Sequence, residues 1–258
     1  MTTRTSLGYE RTIVLALTAL LTIVPAVPRA AAAVAGLAIL ALTAIAWRRR
    51  ETAAASLGLV STSCVVLGLA GLGPQQVVFP FAFAIYAVVV RRVRWLRGAA
   101  AWFRPGALGR GILAIVAGIA AVSAAALLAW YAITRPDLAD VVRTFVPEQP
   151  LWLLVIGALV FALVNAAIEE AAYRGVLLSA LEAVLGRGAA PIVLQAVAFA
   201  ALHVHGLPRG SAGVGLALVY GVALGALCRK AGGLLAPWLA HALTDVVIAG
   251  IVLALARR

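Results

Sequence analysis

The sequence predicts an all-α, polytopic membrane protein of about eight transmembrane helices with a polar site inside the membrane. Three observations carry this. Of 258 residues, 64% are hydrophobic and 12% charged, whereas about a quarter of an ordinary soluble domain is charged. The apolar runs leave no polar stretch long enough for a soluble domain. The basic residues, 21 against 9 acidic, sit mostly in short loops between those runs, as the positive-inside bias requires. That distribution argues against nucleic acid as the reason for the net charge of +12.

The segments follow in order. Residues 1–11 are a short polar start, and Thr12–Val27 is apolar, ending near Pro25 and Pro28. With Ala30, Ala31 and Ala32 behind it, this run resembles a signal peptide. A first transmembrane helix is preferred, because further spans follow. Ala31–Trp47 and Thr52–Leu72 are the next two spans, and Val77–Val90 is a shorter one with a kink expected at Pro80. The loop 91–110 holds six arginines with Trp95 and Trp102, a mixture that suits an interfacial anchor. Gly111–Ile133 is a further span, and Thr134–Pro150 is polar.

Leu151 to Leu185 reads as one helix, roughly 50 Å long at 1.5 Å per residue. A ~30 Å hydrocarbon core forces it to tilt, bend or project. Gly186-Arg187-Gly188 breaks it, and Ala190–His205, Ala212–Leu227 and Leu235–Ala256 complete the apolar segments. With the N-terminus inside, fourteen basic residues fall in inner segments and six in outer ones. Loop 91–110 is then cytoplasmic and 134–150 outside. Cys64 and Cys228 lie within apolar runs, with no CxxC or Cys/His cluster. Neither a disulfide framework nor a zinc–thiolate site is expected.

The chemistry is concentrated in Glu169-Glu170-Ala171-Ala172-Tyr173-Arg174. A charge at bilayer depth costs roughly 2.5–3.5 kcal/mol, so such groups need partners or a water-filled cavity. Glu170 and Arg174 are i and i+4 with the acid first, the better orientation for a pair. Asn165, Glu169 and Tyr173 form the neighbouring stripe. Glu169 is thus left without an ionic partner and is the candidate general base. A purely structural ion pair with a spare acid is the bland alternative.

All three histidines lie in the last quarter of the chain. His241 and Asp245 are i and i+4 and share a face. Glu169 stands 18 residues before Arg187 and His203 stands 16 after it, so a hairpin at Arg187 puts them at similar depth. His205 falls on another face and is expected at a helix end, outside the site.

Glu169-Glu170-x-x-x-Arg174, Phe199-x-x-x-His203 and His241-x-x-x-Asp245 resemble the three motifs of the CPBP intramembrane proteases. That family includes the CAAX prenyl endopeptidases and the bacterial Abi or bacteriocin-processing proteins. The resemblance covers about residues 150–250. The apolar runs give about five N-terminal helices with the basic loop over 1–150, and the resemblance implies a catalytic core of three to four helices over 151–258. It further implies a multi-pass protein of a membrane such as the bacterial cytoplasmic membrane, with lipid around it. The implied substrate is a peptide or protein, prenylated or not. By resemblance, Glu169 and His203 activate water, Glu170 stands beside them, and His241 with residue 245 stabilises the oxyanion. The CAAX endopeptidases usually carry Asn at that last position, and this chain has Asp245. An ionised Asp opposes an oxyanion and favours a metal, while a protonated one can still donate a hydrogen bond.

Peptide hydrolysis needs an activated water and donors for the developing oxyanion. Glu plus two His is also a zinc-ligand set, so Glu169, His203, His241 and Asp245 could hold one divalent metal. The HExxH spacing is absent, and a metal-free water mechanism is equally open. Two other classes compete. One is a non-proteolytic scaffold or bacteriocin-immunity protein. The other is a proton-coupled transporter, which favours repeats and broken helices not evident here.

Overall fold

The computed structural model describes residues 2–72 and 75–257, with side chains over 8–72 and 77–257. The side chain of Arg4, and Arg258, both counted in the charge bias, lie outside the described residues. Among those described, every regular element is helical: α1 (Thr2–Ile23), α2 (Arg29–Arg49), α3 (Thr52–Leu69), α4 (Gln75–Arg92), α5 (Arg110–Thr134), α6 (Ala139–Phe145), α7 (Leu151–Glu170), α8 (Leu178–Leu185), α9 (Ala189–Ala201), α10 (Gly210–Ala231) and α11 (Leu235–Leu255). Seven stretches among the described residues are long and apolar enough to cross a membrane: those of α1, α2, α3, α5, the continuous Leu151–Leu185, α10 and α11. The all-α polytopic expectation holds. The expected span at Val77–Val90 lies within α4, which has Pro80 inside it and Arg91 and Arg92 in its last turn. Ala189–Val204 is a shorter apolar helix.

Contacts between chain segments define two ends of the bundle. At one end the Arg49 guanidinium lies over the Tyr9 ring, 4.2 Å from its centre. Glu10 accepts from the Ala53 amide at 2.7 Å. Trp47 meets Trp95 edge-on, and Arg229 donates to Glu182 and to the Arg187 and Gly188 carbonyls. At the opposite end Leu138, Val141 and Val252 form a small core with Leu207 and Leu255. Here Arg209 reaches across to Asp140.

The turn between α10 and α11 is bonded to the basic loop. Ala107 N–H donates to Ala231 O at 2.8 Å, Leu234 N–H to Arg104 O at 3.0 Å and Leu235 N–H to Pro105 O at 3.0 Å. Gly106 makes this approach feasible. Its φ is +77°, and a Cβ there would sit 2.7 Å from both Ala231 O and Gly233 N. Gly106→Val should therefore lower stability by about 1–3 kcal/mol, read as a lower thermal midpoint in detergent. An unchanged midpoint would mean the loop is not bonded to this turn in solution.

The 35-residue run Leu151–Leu185 is not a uniform helix. Immediately after Glu170 the backbone widens into a π-helical stretch, Ala171–Leu177, before α8 resumes. Such stretches concentrate at functional sites. This one is seated on Trp102: a Cβ on Gly175 would lie 2.6 Å from the indole ring. The Trp102 indole N–H donates to Tyr86 Oη at 3.2 Å, and the ring packs near Phe83 and Phe103. This corrects the reading of 91–110 as a plain interfacial anchor. Its arginines are exposed, but Trp102 turns into the bundle, because Tyr86 offers its N–H an acceptor and Gly175 a flat seat.

α9 and α10 approach closely at small residues, as helices in lipid do. A Cβ on Gly221 would lie 3.0 Å from the Ala196 Cβ, and buried Gln195 donates to Gly221 O at 2.8 Å. This packing, with α11 against α7, positions the polar groups.

Candidate active site

Glu170 is the centre of the cluster. It ends α7, fully buried, and its Oε1 accepts from Arg174 Nη1 at 2.9 Å. The same oxygen lies 2.8 Å from His241 Nδ1 on α11. Because Glu170 is already paired with a guanidinium, its oxygen is the acceptor and His241 Nδ1–H the donor. That bond fixes the imidazole and turns Nε2 toward Glu169 Oε2 and Asp245 Oδ1, each 3.6 Å away. A carboxylate behind a histidine in this way sets its tautomer and orientation. The Arg174 guanidinium lies over the face of buried Phe199, 4.4 Å from its centre. Phe199 in turn meets the rings of Tyr173, His203 and His241, so it keys the second motif to the first and third.

Among the described residues no arginine or lysine pairs with Glu169, which is held by an amide instead. Glu169 Oε1 accepts from Asn165 Nδ2 at 3.2 Å, and the same amide donates to Asp245 Oδ2 at 3.0 Å. Asn165 stands one helical turn before Glu169, on the stripe the spacing indicates. It holds two carboxylates from two helices beside His241 Nε2. The sequence signal was its presence as a lone amide in an otherwise uncharged run.

His203 lies just past the end of α9, in a 3₁₀ turn over Leu202–Val204. Its Nδ1 pairs with the Phe199 carbonyl at 3.2 Å, so Nδ1 carries the proton and Nε2 is left free. It has no hydrogen bond to Glu169 among the described residues, but both line one cavity. Tyr220 was not singled out by the sequence. Its ring stands edge-on to His241, 5.7 Å between centres, and its hydroxyl donates to Thr244 at 3.0 Å. No local pattern marks it, because the contact joins α10 to α11.

The groups a divalent metal would use here are Glu169, His203, His241 and Asp245. Among the described residues no three His, Cys, Asp or Glu side chains already converge at metal-binding distance. His241 Nδ1 is taken by Glu170 and His203 Nδ1 by a backbone carbonyl, which leaves each Nε2 available, as in a metal-ligating as well as a catalytic histidine. An amide donor, Asn165 Nδ2, takes one oxygen of Glu169 and one of Asp245 and leaves Glu169 Oε2 and Asp245 Oδ1 facing His241 Nε2.

The cavity has a volume of about 1020 Å³. Asn165, Glu169, His203 and Asp245 line it, together with residues of α6, α7 and α11. Its rim includes exposed Asp140, Thr144, Gln149 and His205. His205 thus belongs to the cavity mouth, not to the polar cluster. Arg209 forks onto Asp140 with bonds of 3.2 and 3.1 Å, and this hydrogen bonding holds the Asp140 carboxyl below the usual carboxylate range.

Residues 150–247 match the family model described as type II CAAX prenyl endopeptidase Rce1-like. Glu169, Glu170, Arg174, His203, His241 and Asp245 all fall within the matched segment. No curated protein matches the chain. No solved structure matches it either.

Proposed function

We propose, from the match of residues 150–247 to the Rce1-like family model, that the protein is a CPBP-type intramembrane protease and hydrolyses peptide bonds through a water activated by Glu169. The observation that carries the mechanism is the division of labour between adjacent acids. Glu170 is bound on one oxygen by both Arg174 and His241, so it orients. Glu169 has one oxygen held by Asn165 and the other turned to His241 Nε2, in the lining of the cavity.

Water is held at Glu169 Oε2 with His203 Nε2 as its second partner. Glu169 takes a proton as the water oxygen bonds to the scissile carbonyl carbon. The oxygen of that carbonyl gains the negative charge. His241, oriented by Glu170, donates to it from Nε2 when both ring nitrogens are protonated. The proton on Glu169 then passes to the leaving nitrogen, and the carbon–nitrogen bond breaks. Asp245 has no N–H to offer when ionised. Its part is to flank His241 Nε2 and to fix Asn165.

Asn165 is a positioning residue. Asn165→Leu removes both bonds that hold Glu169 and Asp245. Loss of such supporting partners costs about 10–100-fold. The expected result is a fall of that size in kcat with KM unchanged, beside a modest drop in the thermal midpoint from the two acceptors left without a donor. A changed KM with intact kcat would place Asn165 in substrate binding instead.

The substrate is apolar where it lies against α7. Exposed Ile156, Val160 and Phe161 both face the surroundings and line the cavity, which suits a chain arriving from within the bilayer, lipidated or simply hydrophobic. The test is purified protein in liposomes with a library of membrane-anchored peptides, followed by mass spectrometry of new termini. Discrete internal cuts are expected. A folded protein that produces none would favour the non-proteolytic scaffold.

A further inference from the structure

Resting on that protease reading, we infer that the scissile segment reaches the site from the extracytoplasmic side of the membrane, so the substrate is an exported or outward-facing membrane-anchored chain. The juxtaposition behind this is a cavity mouth at one end of the bundle and the arginine-rich loops at the other.

The basic end is assembled by contacts, not by sequence order. Trp47 against Trp95 joins the Arg48–Arg50 corner to the Arg91–Arg97 segment. The backbone bonds of Arg104, Pro105 and Ala107 to residues 231–235 join that loop to Arg229 and Lys230. Arg229 closes onto Arg187 and Gly188. All of these belong to short connections, the kind whose Lys and Arg content sets orientation. The opposite end has Arg29, Arg135, Arg143, Arg209 and Arg257, offset by Asp137, Asp140 and Glu148. The bias therefore puts the basic end in the cytoplasm.

The cavity opens at the other end. Its rim residues Asp140, Thr144 and Gln149 come from α6 and the segment after it, and His205 and Arg209 from the turn before α10. Pro25, from the α1–α2 connection, completes that rim. None of the loop arginines of the basic end lines the cavity. A peptide approaching from the cytoplasm would meet the welded loop 104–107 and the α10–α11 turn, where Gly106 and Gly233 backbones touch. From the outside it meets an open, partly polar mouth leading to Glu169.

The experiment has two arms. Single cysteines are placed at Thr144 and at Arg97 in a background with Cys64→Ala and Cys228→Ala. Intact cells are then treated with a membrane-impermeant maleimide. The Thr144 position should label in intact cells and the Arg97 position only after the membrane is opened. The reverse pattern overturns the inference whether or not the protein is a protease. In the second arm, a peptide found cleavable by the purified protein is added to right-side-out and to inverted vesicles. Cleavage confined to right-side-out vesicles is expected, and cleavage confined to inverted vesicles overturns it. Absence of any cleavable peptide strikes the protease reading alone, because labelling still decides the orientation of the mouth.

Discussion

Arg174→Ala should lower folded yield and stability by about 3–5 kcal/mol, the cost of breaking a buried ion pair from one side. Both partners are almost fully buried. The variant leaves the Glu170 carboxylate with His241 as its remaining partner, and removes the cation from the face of Phe199. The reverse deletion is no milder. Arg174 makes its one side-chain hydrogen bond among the described residues to Glu170, and its Nε and Nη2 already have no partner there. Glu170→Gln thus leaves a buried guanidinium without a counter-charge, and should cost both stability and activity. Thermal unfolding in detergent reads both. An Arg174→Ala protein of normal stability but no activity would mean that Arg174 acts on the reacting groups directly.

Glu169→Gln should do the opposite: fold normally and lose hydrolysis by a factor on the order of 10² or more, the usual contribution of a general base. Glutamine keeps the shape and still accepts a hydrogen bond from Asn165, so the packing of α7 on α11 survives. It cannot take a proton from water. The contrast between the adjacent positions 169 and 170 is the physical content of the prediction. One acid is tied to an arginine and a histidine, and the other faces the cavity.

Much of the polar cluster was legible because helical spacing is short-range physics. The pairs 170/174, 165/169 and 241/245 are all at i+4, and the structure forms a contact at each. The hairpin through Gly186-Arg187-Gly188 brings His203 to the cavity that Glu169 lines. What stayed hidden depends on partners distant in the chain. The π-helical stretch rests on Trp102 seated on Gly175, and no local pattern shows a backbone widening. Asn165 was visible as part of a stripe, but its second bond, to Asp245, needs α11 beside α7. The cavity wall from α6 was invisible for the same reason. That helix reads as a polar loop, and only its packing on Val252 and Leu207 turns it toward the site.

The central claim is that a carboxylate of the chain, Glu169, activates the water. The most direct measurement is the initial rate of cleavage of one identified membrane-anchored peptide by purified wild type and Glu169→Gln, each with and without a strong divalent-metal chelator. The predicted result is wild-type cleavage unaffected by the chelator and a loss of about 10² or more in Glu169→Gln. Full activity of Glu169→Gln, abolished by the chelator, would contradict the account and assign the water to a metal held by other groups.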